Sequence, residues 1–390
     1  MVQAERLPRL AYTETDWFDR ERQTLFADAW YFICTTSDVA DAGDYRTIQI
    51  GNAPIAVVRQ RHGDLAAILN VCRHRGAVLL EGESGNAGGS LVCPYHRWTY
   101  GLDGGLRGVP DRAACFPDLD RASLGLKPAA LGVFKDLVFV NPNPDAKFDR
   151  WIAPIRGQEW PHDLFAADVR EATPLLYDMK CNWKIFVENA IDGYHLAYLH
   201  QKTLGGPTTD QNLWQRVGDH MIWYAAEDGI RHRLPAKIRD QVGTTGIIKS
   251  ASNPGYGGVY YLFPSTLIVP TPFGLSLSTL HPVATDRTRM TVRHWVGPWQ
   301  STDERKHVPG YDKAAGVISS DNWTKHPLET GDFQTEDVWI CEKVQRGMAA
   351  TAYEHGPLSQ GPGAEDPIRW FHKTLHKQMP SVRPHPTRRA

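Results

Sequence analysis

The stretch CPYHRWTYGLDGGL at residues 93–106, read together with VCRHRG at 71–76, decides the fold of this chain. Each carries one cysteine and one histidine at short range, as Cys72-x-His74 and Cys93-x-x-His96. With six cysteines and sixteen histidines in 390 residues, each spacing is expected by chance roughly a quarter of a time per chain. Both within one short window are expected roughly once in a thousand chains. Two loops that each supply a thiolate and an imidazole suit a 2Fe-2S cluster in which two thiolates hold one iron and two imidazoles the other. Zinc also accepts two Cys and two His, but its usual grammar is a Cys-Cys pair followed by a His-His pair, whereas here the two types alternate. The mixed-ligand cluster is therefore the expected reading, with structural zinc as its rival.

Working outward, Lys plus Arg (43) against Asp plus Glu (44) leaves a formal charge of -1, so no global basic field draws nucleic acid or an anionic membrane. The opening MVQAERLPRL lacks an apolar stretch of signal-peptide length, and no run approaches the roughly 18 apolar residues of a membrane span. A soluble cytoplasmic protein is the expectation, with neither nucleic acid nor membrane as partner. Cys34, Cys115, Cys181 and Cys341 are scattered without disulfide or second-cluster spacing and read as buried thiols. The length allows two or three domains.

Residues 13–28 open with a Thr-x-x-Asp capping pattern and show helical periodicity. YRTIQI, PIAVVRQ and LAAILNV, from about 44 to 71, are strand-like runs separated by Gly-Asn and Arg-His-Gly-Asp turn signals, as in a small antiparallel sheet. Leu137 to Val140 reads as a returning strand, and NPNPDAK at 141–147 breaks regular structure and marks a boundary. Beyond it, 170–202 is largely helical in pattern, 218–225 and 257–298 alternate like strands, and 332–347 is again helical. The fold class expected is α+β. The expected division is an N-terminal helical segment (1–40) packing on a catalytic domain, an all-β cluster domain (41–145), that catalytic domain itself (146–378), and a Pro-rich basic mobile tail (379–390).

CNWKIFVENAIDGYHLAYLH at 181–200 contains Asp192, His195 and His200. On an ideal helix, positions five apart are turned by roughly 140°, so His195 and His200 cannot share a metal unless the helix ends or bulges between them. Gly193 loosens it nearby. On a helical wheel of 332–347, Val338, Ile340, Cys341 and Val344 form the apolar face, and Asp337 falls in its middle, where a carboxylate needs a partner. Glu336, Glu342, Lys343 and Arg346 fall on the opposite side and read as a solvated face. His195, His200 and Asp337 together make a two-histidine, one-carboxylate triad of the kind that leaves positions open on Fe(II).

The two Cys-His loops resemble the cluster-binding loops of Rieske non-haem iron oxygenases, specifically the catalytic (alpha) subunit of the aromatic-ring-hydroxylating dioxygenase family. Arg97 stands where many members have glycine. Tyr95, Trp98 and Tyr100 read as packing around the loops that shields the cluster from water. Asn182-Trp183-Lys184, Glu188-Asn189, Asp192, His195 and His200 match the iron-binding helix of that family, and Glu336-Asp337 with Glu342 resembles the segment supplying its carboxylate, so the likeness spans about 70 to 350. It implies a Rieske domain followed by a helix-grip catalytic domain, an antiparallel sheet closed on a long helix, assembled as a homotrimer. It also implies a catalytic role for Asp192, bridging His195 of its own chain to His96 of a neighbour. Electrons from NAD(P)H are then expected through a separate ferredoxin and/or flavin reductase, passing by the cluster to the mononuclear iron. GYGGVY at 255–260 lacks the strand-turn-helix setting of a dinucleotide site.

For substrate the cues diverge. ENAIDGYH resembles oxygenases of aromatic acids, and EDVWICEKVQRG resembles the branch acting on quaternary ammonium compounds such as choline or betaines. The breadth of the first branch favours hydroxylation or dihydroxylation of an aromatic compound, with hydroxylation or N-demethylation of a quaternary ammonium compound as the alternative. Trp214, Trp223, Tyr260, Tyr261 and Phe263 are either pocket or core. A Rieske electron carrier is the non-enzyme alternative, against which the extra residues and the second triad weigh.

Overall fold

The computed structural model describes residues 6–157, 169–203, 212–225, 256–271, 274–296, 316–360 and 365–379. The tail beyond 379 lies outside them, as does the side chain of Trp223.

The helices are α1 (Leu10–Thr13), α2 (Thr15–Gln23), α3 (Arg112–Cys115), α4 (Phe148–Arg156), α5 (Trp183–Ala190), α6 (Leu196–Leu199), α7 (Phe333–Ala349) and α8 (Asp366–Gln378). At the N-terminal end, β2 (Asp44–Ile50), β3 (Ala53–Arg59), β4 (Leu65–Leu69) and β5 (Ser84–Asn86) form an antiparallel sheet in the order β4-β3-β2-β5. The Gly51-Asn52 turn joins β2 to β3, as its sequence signals. Side chains alternate between faces with period two, and β3 uses both: Ala56 and Val58 enter the cluster-side core, Ile55 and Val57 the main core, all fully buried. A smaller sheet of β6 (Leu91–Val92), β7 (Thr99–Tyr100) and β8 (Leu106–Gly108) completes this end. Cys72 follows β4, and Cys93 to Trp98 connect β6 to β7, so both cluster loops are rooted in strands.

The second half is one large sheet. Its strands are β11 (Arg170–Glu171), β12 (Leu175–Met179), β13 (Asn212–Val217), β14 (His220–Ala225), β15 (Tyr256–Leu262), β16 (Thr266–Thr271), β17 (Gly274–Ala284), β18 (Arg287–Val296) and β19 (Val317–Ser319). The order is β13-β14-β15-β16-β17-β18-β12-β19, with β11 also on β18. Every pairing is antiparallel except β12 with β19. Both faces are buried: Tyr261, Leu280 and Met290 point to α5, α7 and α8, while Tyr260, Leu277 and Trp295 point to α4 and a third sheet. That sheet consists of β1 (Tyr31–Thr35), β9 (Ala130–Phe134) and β10 (Leu137–Asn141). Tyr260, Tyr261 and Phe263 are thus core residues, at most 6% exposed, and Trp214 packs partly buried against the main core.

The structure departs from the sequence reading in several places, among them Cys115, which is exposed and not buried. Residues 175–179 are a strand and not helix, because the run Leu175, Tyr177, Met179 buries every second side chain. The Thr13-x-x-Asp16 pattern forms no capping box: Glu14 occupies the N-cap of α2 without a side-chain cap, and Thr13 Oγ1 turns back to the Arg9 carbonyl at 3.3 Å. The first forty residues also include a strand, β1, which pairs with β10.

What α2 contributes is charge. Glu21 and Lys184 form an ion pair at 2.6 Å with both side chains fully buried, and the indole N–H groups of Trp17 and Trp183 donate to the same carboxylate at 3.2 and 2.9 Å. Burial lowers the ammonium pKa of Lys184, and Glu21 opposes that shift. Removing one partner of such a pair typically destabilises by about 3–5 kcal/mol, because the survivor is left uncompensated.

A second charged joint links the two ends of the chain. Asp38 receives Arg46 from β2 at 3.1 Å and Arg293 from β18 at 2.6 Å, while Arg293 also binds Glu171 through two hydrogen bonds. Burial alone would raise the Asp38 pKa, but Arg293 overrides it and holds the carboxyl below its ordinary value of 3.8. A depressed carboxyl contributes stability that is present above the unfolded pKa and lost as pH falls through the folded one. Asp38→Asn is therefore expected to be less stable than wild type at neutral pH, with the gap closing only below about pH 4. Denaturant titrations of both proteins between pH 3 and 7 check this, and a gap independent of pH contradicts it.

Candidate active site and cluster loops

The two cluster loops fold alike. In the first, Gly76 N–H bonds to Cys72 O at 3.0 Å and Cys72 N–H to Ala77 O at 2.8 Å; in the second, Arg97 N–H bonds to Cys93 O at 3.0 Å and Cys93 N–H to Trp98 O at 2.8 Å. Gly76 and Arg97 thus hold equivalent places, and both adopt positive φ, 77° and 59°. This explains why glycine suits position 97, since an L side chain in that region costs roughly 1–2 kcal/mol.

Cys72 and Cys93 are buried, 3% and 2% exposed, and the imidazoles of His74 and His96 lie 4.6 Å apart between ring centroids. Nδ1 of each histidine is buried without a hydrogen-bond partner. A buried nitrogen left without a partner is costly, and a metal ligand removes that cost. Trp98 stacks on His74 at 4.8 Å and Phe116 meets both edge-on. Tyr95 stacks on His96 at 3.8 Å, and the Arg75 guanidinium lies 5.0 Å from the Tyr95 ring centroid. Tyr100 does more than pack: its hydroxyl accepts Arg73 N–H at 3.0 Å and lies 3.3 Å from Cys72 Sγ, to which it donates once that sulfur is a thiolate. Burial, and then Cys72, push its pKa up.

The second constellation is built by α5, α6 and α7. Asn182 caps α5 by accepting Lys184 N–H at 3.1 Å and donates to Thr285 O, so the Asn182-Trp183-Lys184 motif is a cap followed by two of the partners of Glu21. The helix ends at Ala190, and a turn through Asp192 and Gly193 leads to the one-turn helix α6. His195 and His200 are its N-cap and C-cap. The helix therefore ends rather than bulges, and that is how two side chains five apart converge. From the facing helix, whose N-cap Asp332 accepts Gln334 N–H at 3.0 Å, Asp337 reaches the same point.

His195 Nε2 and His200 Nε2 are 3.2 Å apart, His200 Nε2 and Asp337 Oδ1 2.9 Å, and His195 Nε2 and Asp337 Oδ1 3.6 Å. An ion held about 2.1 Å from three ligands at right angles needs ligand atoms about 3 Å apart, so the three atoms fit one face of an octahedral metal. Asn189 Nδ2 donates to Asp337 Oδ1 at 2.8 Å. Burial pulls the His200 pKa down, but Asp337 and Glu336 reverse that and raise it. Asp192 Oδ2 is 3.1 Å from His195 Nδ1, and its other oxygen takes Tyr194 N–H at 2.6 Å.

The expected solvated face of α7 is only half correct. Lys343 and Arg346 are exposed, but Glu336 is 1% exposed and Glu342 8%. Glu336 Oε2 lies 2.7 Å from His200 Nδ1 and accepts Thr203 Oγ1 at 2.9 Å, while Glu342 accepts Lys180 N–H at 3.0 Å. Conversely Val344, expected inside, is 38% exposed. Glu336, Asn189 and the Tyr100 hydroxyl were missed. The tandem Glu336-Asp337 opposite two histidines was the available signal for the first. A cleft of about 990 Å³ between β2 and strands β17 and β18 contains none of the triad; four arginines and three carboxylates line it, as suits a charged joint.

Comparison with known proteins agrees with this geometry. The sequence pattern of the family described as Ring hydroxylating alpha subunit (catalytic domain) matches residues 166–381, and that of the Rieske [2Fe-2S] domain matches 29–123. The chain belongs to the ring-hydroxylating alpha subunits. This Rieske oxygenase is 28% identical to the carnitine monooxygenase oxygenase subunit of Escherichia coli K12, over 96% of this chain and 93% of that protein. The glycine betaine monooxygenase oxygenase subunit of Chromohalobacter salexigens is also 28% identical, over 97% and 87%. The anthranilate 1,2-dioxygenase large subunit of Acinetobacter baylyi is 29% identical, but over 55% of this chain and 47% of its own length. In fold, the oxygenase superimposes on a solved quaternary ammonium Rieske monooxygenase with a TM-score of 0.71 at 21% identity, covering 96% and 95% of the two chains. On naphthalene 1,2-dioxygenase the TM-score is 0.72 at 20% identity, covering 96% and 92%. The cofactors of this oxygenase are a Rieske 2Fe-2S cluster and a non-haem iron, as in its family.

Hydrogen bonds to the sulfurs help set a cluster potential. If the Tyr100 bond favours the reduced state by about 1 kcal/mol, it raises a one-electron potential by about 40 mV. Tyr100→Phe is expected to lower the midpoint of the cluster by that order in a redox titration followed by EPR, and an unchanged midpoint contradicts the assignment.

Proposed function

We propose that this oxygenase hydroxylates a quaternary ammonium compound of the carnitine, betaine or choline kind, with N-dealkylation where the attacked carbon adjoins nitrogen. The observation carrying this is coverage: the carnitine and glycine betaine monooxygenase subunits match along 96% and 97% of the chain, the anthranilate dioxygenase along 55%. EDVWICEKVQRG points the same way. An aromatic acid is the second reading, favoured by ENAIDGYH and by the local anthranilate dioxygenase match.

In this reading Cys72 and Cys93 hold one iron of the cluster, His74 and His96 the other, and His195, His200 and Asp337 hold the mononuclear iron. The iron, when bound and reduced, supplies oxygen activation. The protein's work is placement: Asn189 and the fold of α7 keep Asp337 Oδ1 aimed between the imidazoles, and Asp192 fixes the ring plane of His195 by accepting from Nδ1. Family members take electrons from a separate ferredoxin or reductase. We assign this oxygenase to a homotrimer in which Asp192 also receives His96 of a neighbouring copy, and to the cytoplasm, where NAD(P)H-dependent reductases work. Among the described residues no helix is long and apolar enough to cross a membrane. We likewise divide the chain into an N-terminal segment (1–40), a Rieske unit (41–145), a catalytic unit (146–378) and a terminal stretch (379–390); the contacts of Tyr12 with Glu188 and His372, and of Glu21 with Lys184, favour assigning the first to the catalytic side.

Two experiments test this. With a surrogate reductase, betaines and aromatic acids are screened for stimulated, product-forming oxygen uptake; product from betaines alone is expected, and product from aromatic acids alone overturns the substrate assignment. In Asp192→Asn the cluster and the mononuclear iron should both remain bound while single-turnover oxidation of the reduced cluster slows by orders of magnitude. Coupled turnover at the wild-type rate removes the bridge.

A further inference from the structure

Glu336 stands out because nothing in its own helix accounts for its burial. It is 1% exposed, and its neighbour Asp337 already supplies the triad carboxylate. An ionised carboxylate buried to this degree is stable only if fully hydrogen-bonded, and Glu336 Oε2 has two donors, His200 Nδ1 at 2.7 Å and Thr203 Oγ1 at 2.9 Å. His200 Nε2 faces Asp337 and His195. When Nε2 holds the iron, Nδ1 must carry the proton, and Glu336 accepts it, which favours the tautomer that leaves Nε2 a free lone pair. The start of α7 adds to this, since Glu336 lies in its first turn, where the helix dipole favours negative charge.

We propose that Glu336 is a positioning residue for the mononuclear iron, locking the ring plane and tautomer of His200 as Asp192 does for His195. Ligand and clamp are consecutive residues of one helix, so Asp337 and the support of His200 are set by a single rigid element. This inference rests on the triad being the iron site.

The test is ferrous affinity, measured anaerobically by competition with a ferrous chelator, on wild type, Glu336→Ala and Glu336→Gln. Melting of the iron-free proteins and the EPR signal of the reduced cluster are followed in parallel. Glu336→Ala is expected to bind Fe(II) about 10–100-fold more weakly, with its cluster signal unchanged. Glu336→Gln keeps an oxygen for His200 Nδ1 and is expected to recover most of that loss. Wild-type affinity in Glu336→Ala overturns the proposal, as does a Gln variant no better than Ala. Should the Ala variant not fold, Thr203→Val, which removes the second donor to Glu336 Oε2, is read in the same assay; several-fold weaker binding is expected and unchanged binding overturns the proposal. If wild type itself binds no Fe(II) at the triad, the site assignment fails instead.

Discussion

A charge removed from water must find its partner inside the protein, and this requirement organises the molecule. Glu21 and Lys184, both fully buried, tie the N-terminal helix to α5. Asp38 between Arg46 and Arg293 ties the cluster end to the large sheet. Glu336 and Asp337 are buried against α6, and the imidazoles together with Thr203 and Asn189 at hydrogen-bond distance make that tolerable. Each apolar interface is thus registered by one ionic contact with little freedom to slide. The site is an extension of the packing: α7 lies on α5, and the same packing brings acid to base.

Much of this was readable in the residues. Strand-like runs between turn signals placed β2, β3 and β4, and the β-rich stretches 218–225 and 257–298 placed β14 to β18. The Cys-His loops stated their chemistry through ligand type and spacing. Asp337 declared itself by sitting on an apolar helical face, and the 140° separation of His195 and His200 required an irregularity, found as the ends of α6.

What escaped shares a physical cause. A helical wheel registers only the periodicity of its own segment, so Glu336 and Glu342 looked solvated although other elements, through His200 and Lys180, cover them. The strand Leu175–Met179 was lost inside a helical reading because five residues give either period too few repeats to separate. The capping signal at Thr13 failed because Thr13 ends α1, its hydroxyl bonded back to the Arg9 carbonyl, and Glu14 takes the N-cap of α2. Tyr100 was legible as an aromatic on a strand; its hydroxyl meets Cys72 only after two loops, 28 residues apart, fold together.

The unequal cover of the two cluster histidines has its own consequence. Trp98, 3% exposed, and Phe116 pack on the His74 ring, whereas Tyr95, which is 54% exposed, stacks on His96. Both imidazoles keep part of their surface open to solvent. The rings therefore decide which face of each imidazole stays accessible, and do not seal the pair from water.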